Sequence, residues 1–311
     1  MNILITGGSG FIGQNFIKFL IINKKKIINI DLIKSEFKHS NLINYICDYR
    51  DAKKINKIFS TQKIDIVFHF ASKTTVNDMK YDDLDYFNIN SFGITGLLRI
   101  MKKNNIRKFF FSSSAAVYGH NDYGKKNYET TDLKPISKYG LSKAFAEKIV
   151  SDTCKNLGIN FIIARYFNVL GSNIYSKKST SIKHNSIMYH LKESLFNGKK
   201  FYIYGNNLNT KDGTAFRDYI HISDVLNFNY CAMNYLNKNK NSLILNCGLS
   251  KSYSVMELLK EFNLIHRAKI KGYKKAHNKN EIIYSKSDTN KTKKLLNWTP
   301  SRKSLKELLK V

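Results

Sequence analysis

Long apolar runs are missing from this 311-residue chain. The longest near the start, Phe11 to Ile22, is broken by Gln14, Asn15 and Lys18, and glycines precede it where a basic leader would stand. Neither a signal peptide nor a membrane span is therefore expected, and the chain reads as cytoplasmic. Cysteine is scarce as well. Cys47, Cys154, Cys231 and Cys247 lie far apart without C-x-x-C spacing, which excludes a zinc site or a disulfide frame and leaves buried free thiols; no metal is expected. Proline occurs only twice, and neither an internal repeat nor a linker long enough to separate independent domains is found. Acidic residues are few, 23 against 52 Lys and Arg, giving a formal net charge of +29. Such an excess invites a nucleic-acid reading, because basic surfaces release counterions from phosphates. Yet the lysines are scattered from end to end with abundant Asn, Ile and Tyr, a bias of the whole chain and not a binding stripe. Nucleic-acid binding is set aside as a main function, although the charge still draws anionic small ligands toward a cleft.

What is present is an alternation of strands and helices. A short apolar strand, Asn2 to Thr6, runs into G-G-S-G-F-I-G and a helical pattern through Phe16, Phe19 and Leu20. Gly7, Gly10 and Gly13 stand three apart on that strand-to-helix turn, where a backbone without Cβ atoms can approach a pyrophosphate and the helix N-terminus can hold its charge. A tight turn is the bland alternative. A second strand, Lys26 to Ile30, ends at Asp31, where a carboxylate can bind a ribose 2′-OH, favouring NAD over NADP. Further strands are expected near Cys47, over Ile64 to Phe70, over Lys108 to Phe111 and over Asn160 to Ala164, with helices near Ala52 to Phe59 and around Ile94, Leu97, Leu98 and Met101. This order predicts a parallel, doubly wound sheet with its ligand at the carboxyl ends of the strands, where Ser112 to Ser114 fall. Beyond R-Y-F-N the alternation loosens. Residues 206 to 218 read as a polar loop carrying Arg217, a partner for phosphate or for a neighbouring carboxylate. Ser254 with Glu257 forms a capping box, and residues 269 to 280 read as a surface loop.

Tyr139 and Lys143 share one face of the long helix after Ser114. An ammonium beside a phenol lowers a pKa of ~10, making tyrosine a usable base near neutrality. Alone, the spacing equally describes a solvated helix face.

Taken together, these stretches resemble the extended short-chain dehydrogenase/reductase family and, within it, the UDP-glucose 4-epimerases. The match is carried by T-G-G-S-G-F-I-G at 6 to 13, Asp31, H-F-A at 69 to 71, S-S-S-A-A-V-Y-G at 112 to 119, Y-G-L-S-K at 139 to 143, R-Y-F-N at 165 to 168, and S-D-T-N-K-T-K-K-L-L-N-W at 287 to 298. The stretch closest to the 4-epimerases is D-G-T-A-F-R-D-Y-I-H at 212 to 221. The resemblance implies a Rossmann-type doubly wound sheet over 1–165, rejoined by parts of 210–250, and a smaller C-terminal α/β domain over 166–311 that binds the nucleotide sugar. It implies an isomerase of galactose metabolism: NAD-dependent exchange of UDP-glucose and UDP-galactose, in which Tyr139 moves the 4-OH proton, Lys143 binds the nicotinamide ribose and Ser114 holds the 4-oxygen. NAD would meet Gly7, Gly10, Phe11, Ile12, Gly13, Asp31, Asp48, Tyr49, Phe70, Ala71, Ser72, Asn90, Tyr139, Lys143 and Phe167. The UDP-sugar would meet Ser114, Tyr139, Asn168, Asn185, Tyr202, Tyr204, Arg217 and Ser285. A homodimer through helices near 92 to 104 and 140 to 155 is implied too.

The chain departs from the family at several places. Ala116 replaces a frequent hydroxyl residue, Lys73 is displaced with Thr74 in the usual lysine place, and the R-x-G-D type diphosphate segment becomes H-N-K-N-E at 277 to 281. Loops near 34 to 44 are trimmed, and the chain ends at Val311 before the family's last helix. Ser285 falls where the family limits room beside the sugar C2 group, so N-acetyl sugars are expected to be accepted. Two rivals stand beside this reading. A 4,6-dehydratase needs a carboxylate pair just after the strand-end serine, where Ala115 and Ala116 stand, and a non-catalytic NAD- or RNA-binding protein has no need of Ser114, Tyr139 and Lys143 together.

Overall fold

The computed structural model describes residues 1–35, 37–74, 82–171, 186–205, 208–239, 241–276 and 282–310. Chain order begins β1 (Asn2–Thr6), α1 (Phe11–Ile22), β2 (Lys26–Asp31), β3 (Leu42–Ile46), α2 (Ala52–Thr61), β4 (Ile66–His69), α3 (Asp83–Phe87), α4 (Gly93–Lys103), β5 (Lys108–Ser114), α5 (Lys138–Leu157) and β6 (Asn160–Tyr166). It continues through β7 (Asn168–Leu170), α6 (Ile187–Asn197), β8 (Phe201–Tyr204), β9 (Phe216–His221), α7 (Ile222–Lys238) and β10 (Leu243–Cys247). Last come β11 (Ser252–Ser254), α8 (Val255–His266), β12 (Gly272–Lys275), α9 (Asn290–Leu296) and α10 (Leu305–Leu309).

Two compact units emerge: residues 1–114, 138–164 and 229–244, and residues 115–137, 165–228 and 245–311. A seven-stranded sheet runs in the order β10-β6-β5-β4-β1-β2-β3, with β3, β2, β1, β4 and β5 pairing parallel. The order reverses between β1 and β4, so their carboxyl ends, Thr6 and His69, open the crevice where doubly wound sheets take ligands. These strands are apolar on both faces, as in β1, where Ile3, Leu4 and Ile5 are wholly buried, because helices cover each side. The first unit's core joins Leu4, Ile28, Val67, Phe109 and Phe111 to Ile94, Leu97 and Met101 of α4 and Val150 of α5. The striped faces of α4 and α5 thus fix the helix that carries Tyr139 and Lys143.

The second unit has its own core, in which Leu191, Phe201, Ile203 and Tyr219 pack with Leu258, Leu259, Phe262 and Leu308. Here two expectations are corrected. Residues 216–218, the end of the expected loop, instead open the strand β9, central in a three-stranded sheet between β11 and β7. Its polar residues hid the pattern, since Asp218 is buried and accepts from donors in distant segments. Within 269–280, Gly272 to Lys275 form β12, parallel to β8. All four residues are exposed, so the strand rests on backbone pairing and shows no apolar alternation.

Candidate active site

In the first unit, β1 gives way to Gly7, whose φ of +73 an L side chain rarely adopts. A Cβ on Gly7 would stand 2.4 Å from the Ala71 amide nitrogen, and one on Gly13 would stand 2.3 Å from the Gly7 carbonyl oxygen. The turn therefore closes against the end of β4 only with glycine at both places. Gly10 is the N-cap of α1, bringing no side chain to the helix end, and Phe11 and Ile12 open its first turn. Asp31, at the tip of β2, accepts the Ser9 amide at 2.9 Å and the Ile33 amide at 3.0 Å. A bare backbone cradle, a helix N-terminus and a carboxylate at the rim fit a dinucleotide such as NAD.

Around that cradle the other expected cofactor residues take distinct parts. Asp48 is gripped by Arg50 at 2.6 Å, and this hydrogen bond holds its carboxyl below the usual range. Tyr49 is buried, donates its hydroxyl to the Ile89 carbonyl, and sets its ring edge against His69 at 4.7 Å; burial pushes the phenol up. Phe70, Ala71 and Ser72 follow β4 at its carboxyl end. Asn90 lies in a π-helical turn over Asn88–Phe92, where it accepts from Ser72 Oγ (3.0 Å) and the Lys73 amide (2.8 Å) and donates to the Lys73 carbonyl and Ser142 Oγ (both 3.0 Å). Both amide hydrogens and both oxygen lone pairs are thereby used, so Asn90 clamps the loop after β4 to α5.

The chemistry-bearing residues meet where β5 ends and α5 begins. Tyr139 and Lys143 lie one turn apart on α5, and the Ser114 side chain at the end of β5 hydrogen-bonds to the Tyr139 phenol. Lys143 is buried; its ammonium donates to the Ser112 carbonyl at 2.8 Å and lies 4.9 Å from the centre of the Phe111 ring. Burial drives the Lys143 pKa down to about 7, with Glu147 pulling the other way. His69 stays neutral, pushed to about 3 by burial and by Lys143. The expected lowering of the tyrosine pKa by Lys143 together with the cofactor's charge concerns the NAD-bound protein; in the chain alone the phenol is raised. Although part of the Tyr139 surface is open, burial of the phenol raises it to about 12, opposed only by the Ser114 hydrogen bond. The Lys143 ammonium itself is directed to the Ser112 carbonyl.

In the second unit, Tyr202 and Tyr204 face outward from β8, about half exposed, with Lys275 Nζ 3.9 Å over the Tyr202 ring and the Tyr273 ring 6.2 Å away. Asn168 opens β7 and is exposed; Arg217 lies on β9, donating to the Phe216 carbonyl at 3.1 Å. Ser285 is buried and donates its amide to the same carbonyl at 3.1 Å. Phe167 is buried, its ring 6.2 Å from that of Tyr118. Asn185 and residues 277–281 lie outside the described residues.

Among the buried carboxylates that escaped the sequence reading are Glu147 and Asp218. Glu147 accepts the Ser113 hydroxyl at 2.6 Å, and its only sequence signal is the step of four that continues Tyr139 and Lys143 along α5. Asp218 accepts from the Leu249 amide (2.7 Å), the Ser250 amide (3.0 Å) and the Ser287 amide and hydroxyl (2.9 and 2.6 Å), tying together segments up to 69 residues apart. Nothing local marks it.

Comparison with known proteins places this geometry in company. The family model described as "NAD dependent epimerase/dehydratase family" matches residues 3–248. The UDP-glucose 4-epimerase of Lactobacillus helveticus is 30% identical over 99% of this chain and 95% of its own length. Among solved structures, the Stenotrophomonas maltophila UDP-glucose 4-epimerase with bound NAD and formylated UDP-arabinopyranose aligns with a TM-score of 0.89 at 26% identity, covering 99% of this chain and 96% of that one. The Thermotoga maritima UDP-glucose 4-epimerase with UDP-glucose aligns at 0.85 and 28% identity, covering 99% and 97%.

Proposed function

The chain belongs to the NAD dependent epimerase/dehydratase family, and we propose that it interconverts UDP-glucose and UDP-galactose by oxidising and re-reducing one sugar carbon, C4. The observation that carries this reading is the hydrogen-bonded Ser114–Tyr139 pair with Lys143 one helical turn on, at the carboxyl end of β5. NAD would lie on Gly7, Gly10 and Gly13 with Asp31 at the ribose, and when bound it supplies hydride acceptance and return at C4 together with a positive charge. Tyr139 takes the 4-OH proton and gives it back. Its phenol, raised to about 12 in the chain alone, needs nearby positive charge to reach a working value, and Lys143 is the residue placed to contribute it. Ser114 donates to the phenol oxygen, stabilises the phenolate and holds the 4-oxygen.

The first unit is assigned to NAD and the second to UDP, with Tyr202 and Tyr204 offering ring faces to the uracil and Asn168 and Arg217 polar contacts to the nucleotide. Ser285, a small side chain, leaves room for an N-acetyl group at C2. Phe92, Leu141 and Phe145, exposed near the start of α4 and on α5, form an apolar face that suits a homodimer, for which sedimentation would give twice the chain mass. Among the described residues no helix is long and apolar enough to cross a membrane, and the four cysteines are free, in keeping with a reducing cytoplasm.

Incubating the purified protein with UDP-galactose and, separately, with UDP-N-acetylgalactosamine tests the reading. The expected result is conversion of both to the C4 epimers. No product from UDP-galactose would end the proposal; no product from the N-acetyl sugar alone would end only the role of Ser285.

A further inference from the structure

Tyr139, Lys143 and Glu147 succeed one another every four residues along α5, so their side chains follow one face of the helix. Lys143 and Glu147 are both buried, at 1% and 3% exposure. Neither faces water, and two of the three strand-end serines divide the work of holding them. Ser112 offers its carbonyl to the ammonium, and Ser113 gives its hydroxyl to the carboxylate. Among the described residues, the other groups against Lys143 bring no negative charge: Phe111 contributes a ring face, His69 is neutral, and Tyr139 is a protonated phenol near neutral pH.

We propose that Glu147 is a positioning residue for the reaction, a buried counter-charge that keeps the Lys143 ammonium protonated and aimed beside the Tyr139 phenol. The inference rests on the function proposed above but goes a step behind the reacting groups. A lone ammonium taken out of water gives up its proton, and burial already brings Lys143 close to that point. Removing the carboxylate removes the acid that opposes it. Lys143 would then be neutral over much of the working range, and the phenol would lose the charge that favours its ionised form. Ser113 keeps the carboxylate in place by donating its hydroxyl to one oxygen.

The test compares wild type, E147Q and E147D as NAD-loaded protein. Gln keeps the size and the acceptor for Ser113 but drops the charge, and Asp restores it. The first readout is the titration of the lysine side-chain ¹³Cε resonance that changes near neutral pH, identified by its loss in K143M. In E147Q its midpoint should fall by about 1 pH unit, and E147D should recover most of that shift. The second readout is the pH profile of kcat. Turnover in E147Q should drop about tenfold relative to wild type at pH 8 and stay within about twofold at pH 6, a shift of the basic limb by the same unit. An unmoved midpoint, or a loss of turnover equal at both pH values, overturns the proposal, because a packing defect has no reason to follow the lysine proton. Should E147Q fail to fold, K143M/E147Q decides: recovery of folding in the double variant supports the pairing, and failure of both overturns it. Wild type that titrates as expected but converts no UDP-galactose defeats the proposed activity and leaves the effect of Glu147 on Lys143 measurable by resonance.

Discussion

Each unit buries a charge, and the two are treated in opposite ways. In the first, Lys143 has, among the described residues, one neutral acceptor, the Ser112 carbonyl, and a carboxylate further along its helix, and it is left close to losing its proton. In the second, Asp218 is surrounded by four donors from two other segments and still rises to about 6 because burial outweighs them. A charge whose hydrogen-bonding capacity is filled by distant backbone is an architectural tie. A sparsely satisfied one beside a phenol is set for proton movement. Buried charges alone therefore do not mark an active site; how completely they are satisfied does.

The sharpest way to break this contrast is to remove the phenol. Y139F should lower turnover by about 10³-fold while leaving the melting temperature and NAD content unchanged, since the ring and its packing remain. A Y139F protein that turns over normally would place the base elsewhere.

The complementary change is D218N, measured by thermal and denaturant unfolding. At pH 5 it should cost about 2–4 kcal/mol, because an amide NH₂ is turned toward backbone donors. The pH dependence has a definite sign. Folded Asp218 keeps its proton up to about 6, whereas an unfolded aspartate releases it near 3.8. The folded state then binds more protons between those values, and this group's contribution to stability is lost as pH rises from about 4 through 6. The penalty of D218N should shrink over that window, and turnover per folded molecule should stay within about threefold of wild type. A flat difference between pH 4 and 7 would show that Asp218 does not titrate there.

S114A sharpens the comparison at smaller scale. It removes the hydrogen bond that opposes burial at Tyr139, so the phenol should rise further and kcat should fall about 10- to 100-fold, with little change in melting temperature. An equal loss of stability and turnover would move Ser114 to the architectural class.

Much of the first unit was legible in the sequence because its determinants are local. The glycine turn needs three glycines at fixed spacing, Asp31 needs a strand end, and Tyr139 and Lys143 need one helix; each was visible within a short window and the structure gathers them into one unit. What the sequence hid depends on distance along the chain. Strand β9 looks polar because Asp218 is satisfied by Leu249, Ser250 and Ser287, and β12 looks like loop because its four exposed residues show no apolar alternation and pair with a strand 71 residues earlier in the chain, at Phe201–Tyr204. The desolvation of the Tyr139 phenol was hidden for the same reason: the helix spacing showed the ammonium but not the burial around the hydroxyl.

The central claim is that a hydrogen leaves and rejoins the same sugar carbon while Tyr139 handles only the hydroxyl proton. Incubating the protein in ordinary water with UDP-galactose deuterated at C4, and locating the label in the product by mass spectrometry, tests it directly. The account predicts UDP-glucose that retains deuterium at C4. Product in which solvent hydrogen has replaced the label would contradict it.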